Sequence, residues 1–132
     1  MYFKEEYAFL SNFAFCEVRL DGVPYRSVEH AYQAAKTLDV RERTQVHDCP
    51  TPAHAKKLGR TVTQRPDFNE VRIEVMRALL AQKFACGTRY RELLDDVEGD
   101  IIEDNWWGDR FWGVYRGEGQ NHLGRLLMEL RS

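Results

Sequence analysis

Apolar and polar positions fall into short blocks along the chain, and the period changes from two to about 3.6. In "FAFCEVRL", Cys16, Val18 and Leu20 alternate with Glu17, Arg19 and Asp21, the pattern of a half-buried strand. Asp21-Gly22 then predicts a two-residue hairpin turn into "VPYRS". From Ser27 the spacing is helical, with Val28, Ala31, Ala35 and Leu38 on one stripe. Ser27 offers the N-cap, although the N3 position holds His30 and not the Glu of a full capping box. A second helix is predicted in "TPAHAKKLGR", with Thr51 as N-cap, Pro52 at N1 and Gly59 at the C-terminal cap.

The longest helix is expected over residues 67–87. Asp67 and Glu70 have capping-box spacing, Phe68, Val71, Val75, Met76, Leu79 and Leu80 make a broad apolar face, and Gly87 ends it. Thr88 suits the cap of a shorter helix in "RYRELLDDV", and "DIIED" suggests a strand or extended segment. The closing "NHLGRLLMELR" reads as a final helix capped by Asn121. With no repeat, low-complexity tract or linker, the expectation is one domain over residues 1–132. It should be mainly α, a compact helical domain with a small β element, on the border of α+β.

The helix at residues 27–36 also carries a second stripe. Glu29, Tyr32, Gln33 and Lys36 fall at i, i+3, i+4 and i+7, so they share one side. Two readings stay open. Polar stripes are usually solvated faces, whereas a cleft would give a carboxylate, a phenol, an amide and an amine one ligand to meet. A buried Glu29 would need a partner.

Composition narrows the class. With 43% hydrophobic and 30% charged residues in 132, the chain is that of an ordinary globular protein. A net charge of -2 argues against binding nucleic acid by broad phosphate neutralisation. Cys16, Cys49 and Cys86 have neither zinc-ligand spacing nor an even count, so no metal and no disulfide framework is expected, and a reducing, cytoplasmic setting fits. The start, "MYFKEEYAFLSNF", lacks the apolar core of a signal peptide, and no run approaches the ~20 apolar residues of a membrane span. His47, His54 and His122 are expected at the surface or in caps, and His30 as a hydrogen-bonded core histidine.

Residues 103–121, "EDNWWGDRFWGVYRGEGQN", hold all three tryptophans and four of the nine glycines. Trp106, Trp107, Phe111 and Trp112 would supply walls for a stacked base. Gly108, Gly113, Gly117 and Gly119 would let backbone approach a ligand, and Asp104 and Asp109 would bind hydroxyls or move protons. An aromatic loop packed over the core is the plainer reading. "GEGQNHLG" leads into the last helix, which makes it either an anion site or an ordinary capped loop. In "SNF", Asn12 belongs to a turn or faces a ligand.

"LSNF", "VEHAYQAAK", "AKKLGR", "NWWGDRFWG" and "GQNHLGRLLMELR", in that order, resemble the NADAR (YbiA-like) family from about Leu10 to Arg131. The resemblance implies a compact, mainly helical fold with a minor β part. It implies an N-glycosidase that cleaves the ribose C1′–N bond. The substrate would be either ADP-ribosylated guanine or a phosphorylated ribosylamino-pyrimidine intermediate of riboflavin synthesis.

In both substrates the anomeric carbon is an aminal. Glu29, if burial raises its pKa, would move the protons that open the ring, and a desolvated Lys36 would attack as a Schiff-base nucleophile. By resemblance Asp109 is a second acid/base or a ribose contact, a role Asp104 could fill instead. Trp107 and Trp112 would form the base or sugar platform. Asn12, Arg60 and Asn121 would make polar contacts to ribose or phosphate, and Tyr32, Gln33, Asn105 and Gly108 would complete the substrate site. No cofactor, metal, membrane or obligate protein partner is expected; the partner is a small nucleotide or an ADP-ribosylated nucleic acid. The other classes left open are a nucleotide-binding module without catalysis and a structural interaction protein. The Glu29–Lys36 pairing argues for the enzyme.

Overall fold

The computed structural model describes residues 1–131. The fold is mainly α with two small two-stranded sheets, on the α+β border. Its contacts sort it into two compact units, Asn12–Lys83 and a second made of Met1–Ser11 with the chain from Phe84 onward.

In the Asn12–Lys83 unit, strands β1 (Val18–Leu20) and β2 (Val23–Tyr25) pair antiparallel, Val18 opposite Tyr25 and Leu20 opposite Val23. Asp21 and Gly22 both adopt positive φ, 49° and 82°, as a primed hairpin turn requires. Helix α1 (Val28–Ala35) follows and lies at the centre of the unit, against the hairpin, α2 (Val40–His47), α3 (Pro52–Leu58) and α4 (Phe68–Lys83). Ser27 caps α1 as expected, its Oγ accepting from His30 N at 3.0 Å. The same hydroxyl donates to His30 Nδ1 at 2.6 Å, and His30 Nε2 donates to Cys49 O at 3.0 Å. His30 is therefore the neutral Nε2–H tautomer, a hydrogen-bonded core residue whose pKa burial lowers.

Two expectations about elements need correction. Leu38 lies beyond the end of α1 and is 62% exposed, so the core stripe stops at Ala35. Gly59 occupies the C-cap of α3 as expected, with ordinary helical angles, φ -59° and ψ -20°, in place of the left-handed conformation common for a glycine there. α4 ends at Lys83, and Gly87 (φ 84°) belongs to the turn before Thr88. The Asp67 carboxylate accepts from Arg65 Nε at 2.6 Å. Helix α2 is an element the apolar pattern does not announce, because only Val46 is buried. Its start was nevertheless written in the sequence: Asp39 caps Arg41 N and Glu42 N, and Glu42 stands three residues on.

The other unit contains a 3-10 segment (Glu5–Leu10), α5 (Arg89–Asp95) capped by Thr88, a parallel pair β3 (Asp104–Asn105) and β4 (Val114–Tyr115), and α6 (His122–Leu130). Its core is Leu10, Phe84, Leu94, Ile101, Leu123, Leu126 and Leu127. Of "DIIED", only Asp104 enters a strand. Asn121 precedes α6 in the left-handed region (φ 53°) and makes no side-chain cap. The three cysteines are free. Among the described residues no helix is long and apolar enough to cross a membrane.

Candidate functional site

Every residue of α1 is buried, including its polar stripe: Glu29 is 8% exposed, Tyr32 6% and Gln33 4%. The stripe is therefore no solvated face. A core helix gives up a large desolvation energy to bury a carboxylate and an amide, so their hydrogen bonds have to be accounted for. Gln33 Nε2 donates to Glu29 Oε2 at 2.6 Å across one turn. Gln33 Oε1 is buried with no hydrogen-bond partner among the described residues. Asn12 adds a second such oxygen: its main-chain carbonyl accepts from Glu29 N at 3.1 Å, its Nδ2 donates to Met76 Sδ at 3.7 Å, and its Oδ1 is buried without a partner. Orphaned buried acceptors are uncommon in folded proteins, and here two belong to residues that contact Glu29.

Lys36 continues the stripe at the C-terminal cap of α1 and is only partly exposed. Its Nζ stands over the Tyr32 ring, 5.8 Å from the centroid, and Tyr32 packs on Phe68 with centroids 5.5 Å apart. Burial pushes the Lys36 pKa below that of an ordinary lysine; the Glu29 charge opposes this, while Arg60 and Lys56 add to it. An amine with a lowered pKa has a larger neutral, nucleophilic fraction. Arg60, exposed at the end of α3, and Lys56 place positive charge near that amine. The signal for Lys56 in the sequence is the doubled lysine of "AKKLGR".

The aromatic loop of the other unit has a different character. Asn105 is 3% exposed, its Nδ2 donates to Asp109 O (2.8 Å) and Val114 O (3.2 Å), and its Oδ1 accepts from Asp109 N (3.0 Å). Asp109 Oδ1 accepts from Phe111 N and Trp112 N, both at 2.9 Å. Asn121 Oδ1 accepts from Glu103 N at 3.0 Å and its Nδ2 donates to Ile101 O at 2.9 Å. These three side chains hold backbone, which is the structural work the sequence did not reveal. Asp104 pairs with the Met1 amino group.

Gly113 makes its close approach to protein: an added Cβ would lie 2.4 Å from Glu103 O. The first amides of α6 are taken as well, His122 N by Phe111 O (3.2 Å) and Leu123 N by Trp112 O (3.0 Å). The anion reading of "GEGQNHLG" loses those donors, and the capped loop stands. Trp106 and Trp107 remain 65% and 46% exposed, edge to face at 5.0 Å. Trp112 is half-buried, edge-on to Phe111 at 4.8 Å, and Gly108 is exposed. Among the described residues no group of three His, Cys, Asp or Glu side chains is arranged to hold a metal ion.

The NADAR domain matches the chain over residues 1–132. The chain belongs to the NADAR family. Escherichia coli (strain K12) has an N-glycosidase YbiA that is 34% identical over 131 residues, spanning 97% of this chain and 82% of that protein. The NADAR fold is shared with the NMR structure of the E. coli protein YbiA, at a TM-score of 0.83 and 34% identity, covering 96% of this chain and 77% of that one. The riboflavin biosynthesis protein VVA0006 of Vibrio vulnificus (strain YJ016) is 36% identical over 131 residues, 97% of this chain. This NADAR chain spans about a third (36%) of that protein's length.

Proposed function

We propose that the chain is an N-glycosidase that hydrolyses the ribose C1′–N bond of an N-ribosylated base, with Glu29 as acid/base and Lys36 as nucleophile. The observation that carries this is the buried face of α1, where a carboxylate and a lysine of lowered pKa share one stripe with an amide oxygen that has no partner. Relatives named N-glycosidase over most of their length point the same way.

In the proposed reaction Glu29 gives a proton to the ring oxygen as the lone pair of the exocyclic nitrogen closes onto C1′. The ring opens to an iminium ion. Neutral Lys36 Nζ adds to C1′, a proton passes from Nζ to the nitrogen of the base, and that C–N bond breaks. The base leaves as a neutral amine, and a protonated imine joins C1′ to Lys36. Water then adds to C1′ and gives its proton to the Glu29 carboxylate. The hydroxyl proton then passes to Nζ as the C1′–Nζ bond breaks, which frees neutral Lys36, and the sugar aldehyde recloses.

Asn12 Oδ1 and Gln33 Oε1 would accept from ribose hydroxyls, which answers their lack of donors in the free protein. Arg60 and Lys56 would meet phosphate. The substrates proposed are ADP-ribosylated guanine and a phosphorylated ribosylamino-pyrimidine. Incubation of the purified protein with ADP-ribosylated guanosine and with the pyrimidine nucleotide should release free base from at least one. Release from neither, alongside tight binding, would make the chain a nucleotide reader.

A further inference from the structure

Gly59 raises a question that its backbone does not answer. Its angles suit any amino acid, so glycine is not there for conformation. It is buried. A Cβ built on it would sit 1.9 Å from Gln33 Oε1, 2.7 Å from Gln33 Cδ and 3.1 Å from Gln33 Cβ. All three nearest atoms belong to one side chain. That side chain is the one that donates to Glu29 Oε2 at 2.6 Å.

We propose that Gly59 is a positioning residue: the missing side chain is what allows Gln33 to hold the Glu29 carboxylate in place. This inference rests on the glycosidase reading for its effect on turnover, but not for its effect on Glu29. Swinging the Gln33 amide aside removes the overlaps with Oε1 and Cδ, and Gln33 Cβ at 3.1 Å then has to give by a few tenths of an ångström. A methyl at position 59 therefore turns the Gln33 amide away from Gly59 or, where the amide stays, pushes α3 from α1. Either shift breaks the Gln33–Glu29 hydrogen bond. Glu29 is buried, so water does not readily replace that donor. A carboxylate loses preference for its charged form when a donor is withdrawn, and a displaced acid/base loses rate steeply with distance.

The test compares Gly59→Ala, Gln33→Ala and the double variant with the wild type, using two readouts. The first needs no substrate: an NMR titration of the Glu29 side-chain carboxyl. Gly59→Ala should move that titration to higher pH, in the direction that Gln33→Ala moves it. The second is turnover, where Gly59→Ala should lower kcat roughly 10- to 100-fold with a smaller change in KM. The double variant should match Gln33→Ala alone, because the two changes act through one contact.

An unchanged Glu29 titration with full kcat in Gly59→Ala would overturn the inference. A shifted titration in a protein whose wild type releases no base would uphold the positioning role while removing the glycosidase reading. Should Gly59→Ala fail to fold, recovery of the fold in the double variant would assign the clash to Gln33. Failure of both to fold would contradict it.

Discussion

The α1 face and the aromatic loop are both rich in the residues that catalysis uses, yet they differ in what those residues are doing. In the loop, Asn105, Asp109 and Asn121 bind main-chain donors and acceptors. At α1, Gln33 and the neighbouring Asn12 each have a buried side-chain oxygen with no hydrogen-bond partner among the described residues, and Lys36 has a lowered pKa. Polar residues gathered in a loop are a weak sign of chemistry when the loop needs them for its own fold. Unsatisfied acceptors and a shifted amine in a buried place are a stronger one.

The sharpest way to break this contrast is to remove one group from each region. Glu29→Gln should leave the fold intact and lower turnover at least ~100-fold, read in a base-release assay. Near-wild-type turnover would take Glu29 out of the mechanism. Asn105→Ala should do the reverse. It strands Asp109 N, Asp109 O and Val114 O in a part-buried loop, so thermal or urea unfolding should show a loss of about 1–3 kcal/mol. Turnover by the molecules still folded should stay within a few fold.

Lys83 separates buried charge from catalysis. It is 1% exposed at the end of α4, and burial pushes its pKa to about 7, partly opposed by the nearby Cys16 thiol. Unfolded, the lysine holds its proton to about pH 10.4. From pH 7 upward the unfolded chain therefore binds more protons than the folded one, and stability should rise with pH. Cys16 acts the other way: its pKa is raised above 9.0, so its contribution is lost above about pH 9. The clean window is pH 7 to 9. Lys83→Met should raise the melting temperature at pH 7 and flatten the slope across that window, and an unchanged slope would refute the buried-lysine account. The smallest effect expected is from Trp107→Ala. With the ring already 46% exposed, its loss should barely alter the melting temperature.

Much of this was legible in the sequence. The hairpin, the caps at Ser27, Thr51 and Thr88, and the stripe of Glu29, Tyr32, Gln33 and Lys36 follow from local rules that depend on neighbours a few residues away. What could not be read were properties set by distant chain. Whether the stripe is wet or buried depends on α2, α3 and α4 surrounding α1. Gly59 stands at the helix stop as its sequence context implies, but the sequence cannot show Gln33 against its Cα. Asn121 looked like a cap because its partners, Ile101 O and Glu103 N, lie about twenty residues earlier. α2 was hidden because a helix with one buried residue carries no apolar stripe.

The central claim is that Lys36 becomes covalently joined to the sugar. Intact-protein mass spectrometry after incubation with substrate and borohydride tests it most directly. The account predicts base release together with a reduced sugar adduct that maps to Lys36 and is absent from Lys36→Met. Base release at full rate with no adduct on any lysine would contradict it and leave hydrolysis to Glu29 and water alone.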